Sequence, residues 1–104
     1  MHIGWVGGLE RSDSTLEQLA AAAGHKLEFH NGDVRGKGLS AMRGLVSRSS
    51  FVVILTTVNS HQGVQLAKRL ARKNNRPYRV MKRCGQSGFR QLLTSINRID
   101  GKTE

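Results

Sequence analysis

The sequence predicts an α/β fold: a three-layer sandwich around a four-stranded parallel sheet, flavodoxin- or Rossmann-like. Two observations predict it. Short apolar runs alternate four times with segments whose apolar residues recur at helical spacing. The most apolar run, Phe51 to Leu55, has no polar position and is rich in β-branched residues, as a strand buried on both faces requires. Four βα units in a row imply a parallel sheet with helices on both faces.

Each element has its own signal. Ile3 to Val6 is an apolar run stopped by Gly7-Gly8, a first strand. Ser14 with Glu17 three residues on reads as a capping box, and Leu16, Leu19, Ala20 and Ala23 continue a helix that Gly24 ends. Lys26 to His30 alternates charged and apolar residues, a second strand. Leu39, Met42, Leu45 and Val46 line one face of a second helix, and Phe51 to Leu55 is the central strand. Ser60 is placed to cap a third helix, with Val64, Leu66, Ala67, Leu70 and Ala71 on one half of its wheel and Lys68, Arg69, Arg72 and Lys73 on the other. Pro77 follows the exit loop, Tyr78 to Met81 is a fourth strand, and Phe89, Leu92, Leu93 and Ile96 face inward from a last helix. Trp5, Phe29, Phe51 and Phe89 are expected in the core. Gly32 to Gly38 is the one glycine-dense loop and is expected to be mobile.

The 104 residues are expected to form one domain, with a disordered tail from about residue 98. A chain of this size buries roughly 60–65% of its extended surface, so its core needs no disulfide or structural metal. The lone Cys84 suits a reducing compartment. Met1 to Val6 lacks a basic region followed by an apolar run, and nothing later approaches a membrane span. A cytoplasmic protein is expected.

Charge is distributed unevenly. The formal net charge is +10, and between Asp33 and Asp100 the chain holds fourteen lysines and arginines and no acid. Lys68, Arg69, Arg72, Lys73, Arg76, Arg79, Lys82 and Arg83 crowd one short stretch. Without counter-ions nearby, such a surface attracts nucleic acid, phosphates or an acidic partner. Tyr78 is the one aromatic amid these cations, so no stacking platform for single strands is expected.

Open parallel sheets bind ligands outside the carboxyl ends of their strands. The loops there hold Gly7 and Gly8, then His30, Asn31 and Gly32, then Ser60 and His61, then Cys84 to Ser87. Glycines admit close backbone approach, and the helix starts near Ser60 and Ser87 favour anions. Gly7 or Gly8 is expected to approach a ligand or a neighbouring chain, so that Gly8→Val obstructs binding more than stability. His30 and His61 are expected to lie close in space, able to share a metal or clamp an anion. Cys84 beside Arg83 is considered for a lowered pKa but reads better as a small residue filling a turn. Gly4 to Gly8 has the wrong spacing for a dinucleotide fingerprint, and no Walker motif, zinc-cysteine pair or nucleophile elbow is present. No complete catalytic constellation results, so a binding module is expected rather than an enzyme.

Val6-Gly7-Gly8, His30-Asn31-Gly32, Thr57-Val58-Asn59-Ser60-His61, the basic helix end from Lys68 to Pro77 and Ser87-Gly88-Phe89 together resemble a bacterial family, domain of unknown function 2325. That family pairs a glycine-rich first loop with a His-Gly turn and a Ser-His at the start of a later helix. The resemblance spans nearly the whole chain and implies a Rossmann-like bacterial cytoplasmic domain. Many relatives carry cysteines just before the Ser-His and inside the following helix. Val58 and Ala71 stand there in this sequence, which argues against a redox or thiolate-metal role.

The leading expectation is a module engaging nucleic acid, or another anionic partner, through phosphate contacts from the eight basic residues. The alternative is a sensor or carrier of a small anion, a metal or haem at the carboxyl edge, where Gly7, His30, Ser60 and His61 meet. A homodimer is compatible with either.

Overall fold

The computed structural model describes the backbone of residues 1–8, 13–57 and 59–103, and the side chains of 1–8, 14–57 and 59–96. Strands and helices alternate: β1 (His2–Val6), α1 (Asp13–Ala22), β2 (Lys26–His30), α2 (Lys37–Arg48), β3 (Phe51–Leu55), α3 (His61–Lys73), β4 (Tyr78–Met81) and α4 (Gln86–Thr103). The strands form one parallel sheet in the order β2-β1-β3-β4. The predicted architecture is present, and β1 lies between β2 and β3 with Val6 level with His30 and Ile54. That reversal of strand order puts the crevice of an open sheet at the carboxyl end of β1.

Two apolar layers hold the sandwich. On one face Ile3, Trp5, Val53 and Leu55 pack with Leu16 and Ala20 of α1 and with Phe89, Leu92, Leu93 and Ile96 of α4. On the other, Val6, Val52 and Ile54 pack with Met42, Leu45 and Val46 of α2 and with Val64, Ala67, Leu70 and Ala71 of α3. Burial of each large side chain contributes about 1.5–3 kcal/mol. Trp5 meets Phe89 edge-on at 5.3 Å and Phe29 at 6.2 Å, geometry that aromatic quadrupoles favour. Phe29 and Phe51 are only partly buried and border the core.

Helix ends follow local chemistry. The Gly63 amide donates to Ser60 Oγ at 2.8 Å, the expected cap of α3. α1 ends as predicted, with Gly24 left-handed while the His25 amide reaches the Ala20 carbonyl and the Gly24 amide that of Ala21. Asn75 ends α3 the same way at φ 54°, sending the Arg76 amide to the Ala71 carbonyl.

Some expectations change. Ser14 lies inside α1, which already includes Asp13, so it is not the residue outside the helix that a capping box needs. α4 runs from Gln86, one residue before Ser87, to Thr103. The Gly32–Gly38 loop is stitched rather than loose. Asn31 Oδ1 accepts from the Asp33 amide, Asp33 Oδ1 from the Arg35 amide, and the Gly38 carbonyl from His30 Nε2. Among the described residues no helix is long and apolar enough to cross a membrane.

Candidate functional site

At the crevice beside β1 the chain bonds to itself. Asn59, just past β3, donates from Nδ2 to the Leu55 carbonyl at 2.7 Å and approaches that of Val6 at 3.5 Å. Its Oδ1 accepts from the Ser60 amide at 2.8 Å. Ser60 Oγ, besides accepting from Gly63, donates to the Gly32 carbonyl at 2.8 Å. The Gly7 amide donates to the His30 carbonyl and the Gly8 amide to that of Thr57. One polar network thus joins the ends of β1, β2 and β3.

The glycines of this network have explanations other than a ligand. Gly7 and Gly8 have φ of 85° and 58°, where side chains are strained. A Cβ on Gly7 would lie 2.4 Å from Asn59 Nδ2, and one on Gly8 2.3 Å from Leu55 Cδ1. The space that a ligand was expected to approach holds Asn59 and Leu55. Gly8→Val therefore acts on stability first, reversing the sequence-based expectation.

The two histidines differ in environment. His30 is buried, its Nδ1 accepting from the Gly32 amide at 2.9 Å and its Nε2 donating to the Gly38 carbonyl at 2.8 Å. Both ring nitrogens of the neutral tautomer are occupied, so ligation of a metal or haem by His30 requires breaking the loop. His61 is exposed at the first position of α3. No hydrogen bond joins it to His30, and the described residues contain no cluster of three or more metal-ligating side chains. A cleft of about 470 Å³ lies between the loop and the start of α3, bordered by Asn31, Gly32, Asp33, Arg35, Asn59 and Ser60. On its wall Arg35 pairs with Asp33 at 3.0 Å and Ser60 bonds Gly32 and Gly63. The Arg35 guanidinium holds the exposed Asp33 carboxyl below its ordinary pKa. Burial pushes the Cys84 thiol up, away from a reactive thiolate. Ser87 is exposed in the first turn of α4.

The eight clustered cations divide among four places. Lys68, Arg69, Arg72 and Lys73 lie on the outward side of α3, opposite its buried apolar residues. Arg72 is held in place, donating from Nε to the Tyr78 hydroxyl at 3.0 Å with its guanidinium 5.8 Å from that ring's centre. Arg76 is half-buried and donates to the Ser47 carbonyl at 3.1 Å, joining the ends of α2 and α3. Arg79 pairs in register with Val53, which belongs to the α1/α4 layer, so it lies on the sheet face opposite α3. Lys82 and Arg83 are exposed beyond β4. The eight thus form no single face. None of them joins an ion pair among the described residues, where Glu28 pairs with Arg48 and His2, and Asp33 with Arg35.

Asn59 is the residue that sequence reading missed as a site organiser. Its signal was an amide side chain between a strand end and a serine cap. Which carbonyls it would meet depends on Val6, 53 positions away.

Neither a curated protein nor a solved structure matches this chain. A family described as an uncharacterized protein conserved in bacteria, DUF2325, matches residues 2–96, which include the glycine turn, the His30–Gly32 turn, the Ser60 cap and the basic helix. With its whole sheet inside that match, the chain belongs to the DUF2325 family.

Proposed function

We propose that this protein is a small cytoplasmic binding module that takes the phosphate backbone of double-stranded nucleic acid on the outward side of α3. One observation carries the reading: Lys68, Arg69, Arg72 and Lys73 share that side with no ion-pair partner among the described residues. Like charges so close repel one another, and a row of phosphates relieves that repulsion while releasing counter-ions. Arg72 and Lys73, in the last turn, also favour the helix dipole, but Lys68 and Arg69 precede that turn. Duplex is favoured over single strands because the described aromatics offer no free ring. Trp5 and Phe89 are buried, Phe29 and Phe51 border the core, and Tyr78 is engaged by Arg72. The lone cysteine supports a reducing compartment.

The reading is tested by fluorescence anisotropy with duplex DNA and RNA across a salt series. Contacts with ~4 phosphates predict a log–log slope of about −3.6, independent of base sequence. Replacing Arg69, Arg72 and Lys73 by Ala should reduce the slope by about 3 and weaken all sequences alike. Arg76 is left intact because it bonds Ser47. Absence of binding at low salt, or an affinity indifferent to salt, would remove nucleic acid as the partner.

A further inference from the structure

β4 forms an open edge of the sheet. β3 takes the carbonyls of Pro77 and Met81, through the amides of Val52 at 3.0 Å and Thr56 at 2.9 Å. In a parallel ladder alternate residues turn both backbone groups to the same neighbour, so Tyr78 and Val80 direct their N–H and C=O away from β3. Each face of the strand is partly covered, Met81 packing against the α1/α4 layer and Tyr78 against the α2/α3 layer. Arg79 is exposed on the α1/α4 side, and Val80, 38% exposed on the α2/α3 side, is the exposed large apolar residue among those described. Arg79, Lys82 and Arg83 crowd this edge without described ion-pair partners.

An unpaired edge is a template for an added strand, and cations on it decide which strand is accepted. A second copy would bring its own Arg79, Lys82 and Arg83 against these, on chains each carrying +10. We infer that β4 accepts an extended acidic peptide segment of another protein as a fifth strand. Alternation along β4 defines the peptide: apolar residues on the side of Tyr78 and Val80, carboxylates on the side of Arg79. This site is separate from the outward side of α3 and does not depend on nucleic-acid binding there.

The test uses the isotope-labelled full chain and three peptides: alternating Glu-Val, alternating Lys-Val, and Glu-Val N-methylated at alternate residues. The Glu-Val peptide should slow amide exchange of Tyr78 and Val80, and the other two should bind at least about tenfold more weakly, as loss of paired charges or backbone hydrogen bonds dictates. Val80→Pro removes an outward donor without touching the β3 ladder and should cost a similar factor. Should that variant fold poorly, the N-methylated peptide asks the same question of the wild type. Binding should survive the Arg69, Arg72 and Lys73 replacement, which separates this inference from the nucleic-acid reading. The inference is overturned by equal binding of the Lys-Val or N-methylated peptide, by no protection of Tyr78 and Val80, by self-association through β4, or by duplex alone protecting those amides.

Discussion

At the carboxyl edge of the sheet, Asn59, Ser60, His30 and Gly32 direct their hydrogen bonds at one another and at neighbouring carbonyls. Along α3 and β4, Lys68, Arg69, Lys73, Arg79, Lys82 and Arg83 point outward with no ion pair among the described residues. The first region has the residue types of a binding site and the bonding of a structural joint. The second has ordinary surface residues and an uncompensated charge. Polar groups closed on each other lower the energy of the fold, whereas groups left without counter-charges retain free energy for a partner. The crevice thus holds paired polar groups and the flank holds unpaired charge, which is what supports proposing the flank as the binding surface.

Gly8→Val challenges that division most severely. Valine at φ 58° with Leu55 Cδ1 2.3 Å from its Cβ combines backbone strain with overpacking. A loss of about 3 kcal/mol or more, roughly 12 °C or more in Tm, is expected in thermal melts. A melt near wild type would mean that the crevice opens easily, and the division would fail.

Asn59→Ala sharpens it. The Leu55 carbonyl and the Ser60 amide lose their partner together, at a cost of about 2 kcal/mol in denaturant titrations. Duplex binding by the folded variant should be unchanged. A selective loss of binding with stability intact would instead make Asn59 a ligand contact.

Glu28→Gln gives the smallest effect, since it concerns the cations that do have partners. The Arg48 hydrogen bond holds the Glu28 carboxyl below its ordinary pKa of 4.5, with His2 adding to the effect and partial burial opposing it. A depressed folded-state pKa stabilises above the unfolded value, and the gain is lost as pH falls through the folded value. Wild type should therefore exceed the variant by less than about 1 kcal/mol near pH 7, and the gap should close below about pH 4. A gap that persists in acid would show that the pair acts through packing rather than charge.

Much of this was legible along the chain. The bounds of β2, β3 and β4, the Ser60 cap and the two-sided burial of α3 follow from apolar spacing and from capping chemistry within a few residues. The edge network was not legible. Ser60 meets Gly32 across 28 positions, so neither residue's neighbours reveal that the hydroxyl is already engaged. His30 reads as a free ligand until its ring is seen between the Gly32 amide and the Gly38 carbonyl.

By itself the sequence determined the parallel α/β architecture, the family and the excess of positive charge, because periodicity, short motifs and composition are local or additive properties. Tertiary structure decided which polar residues remain available. It tied Asn59 to the Leu55 carbonyl at the crevice, moved Arg79 to the opposite face from α3, tied Arg76 to Ser47 and left Tyr78 and Val80 on an open edge. Hydrogen bonds are short-ranged and directional, so their partners are fixed only when strand order and register bring distant segments together.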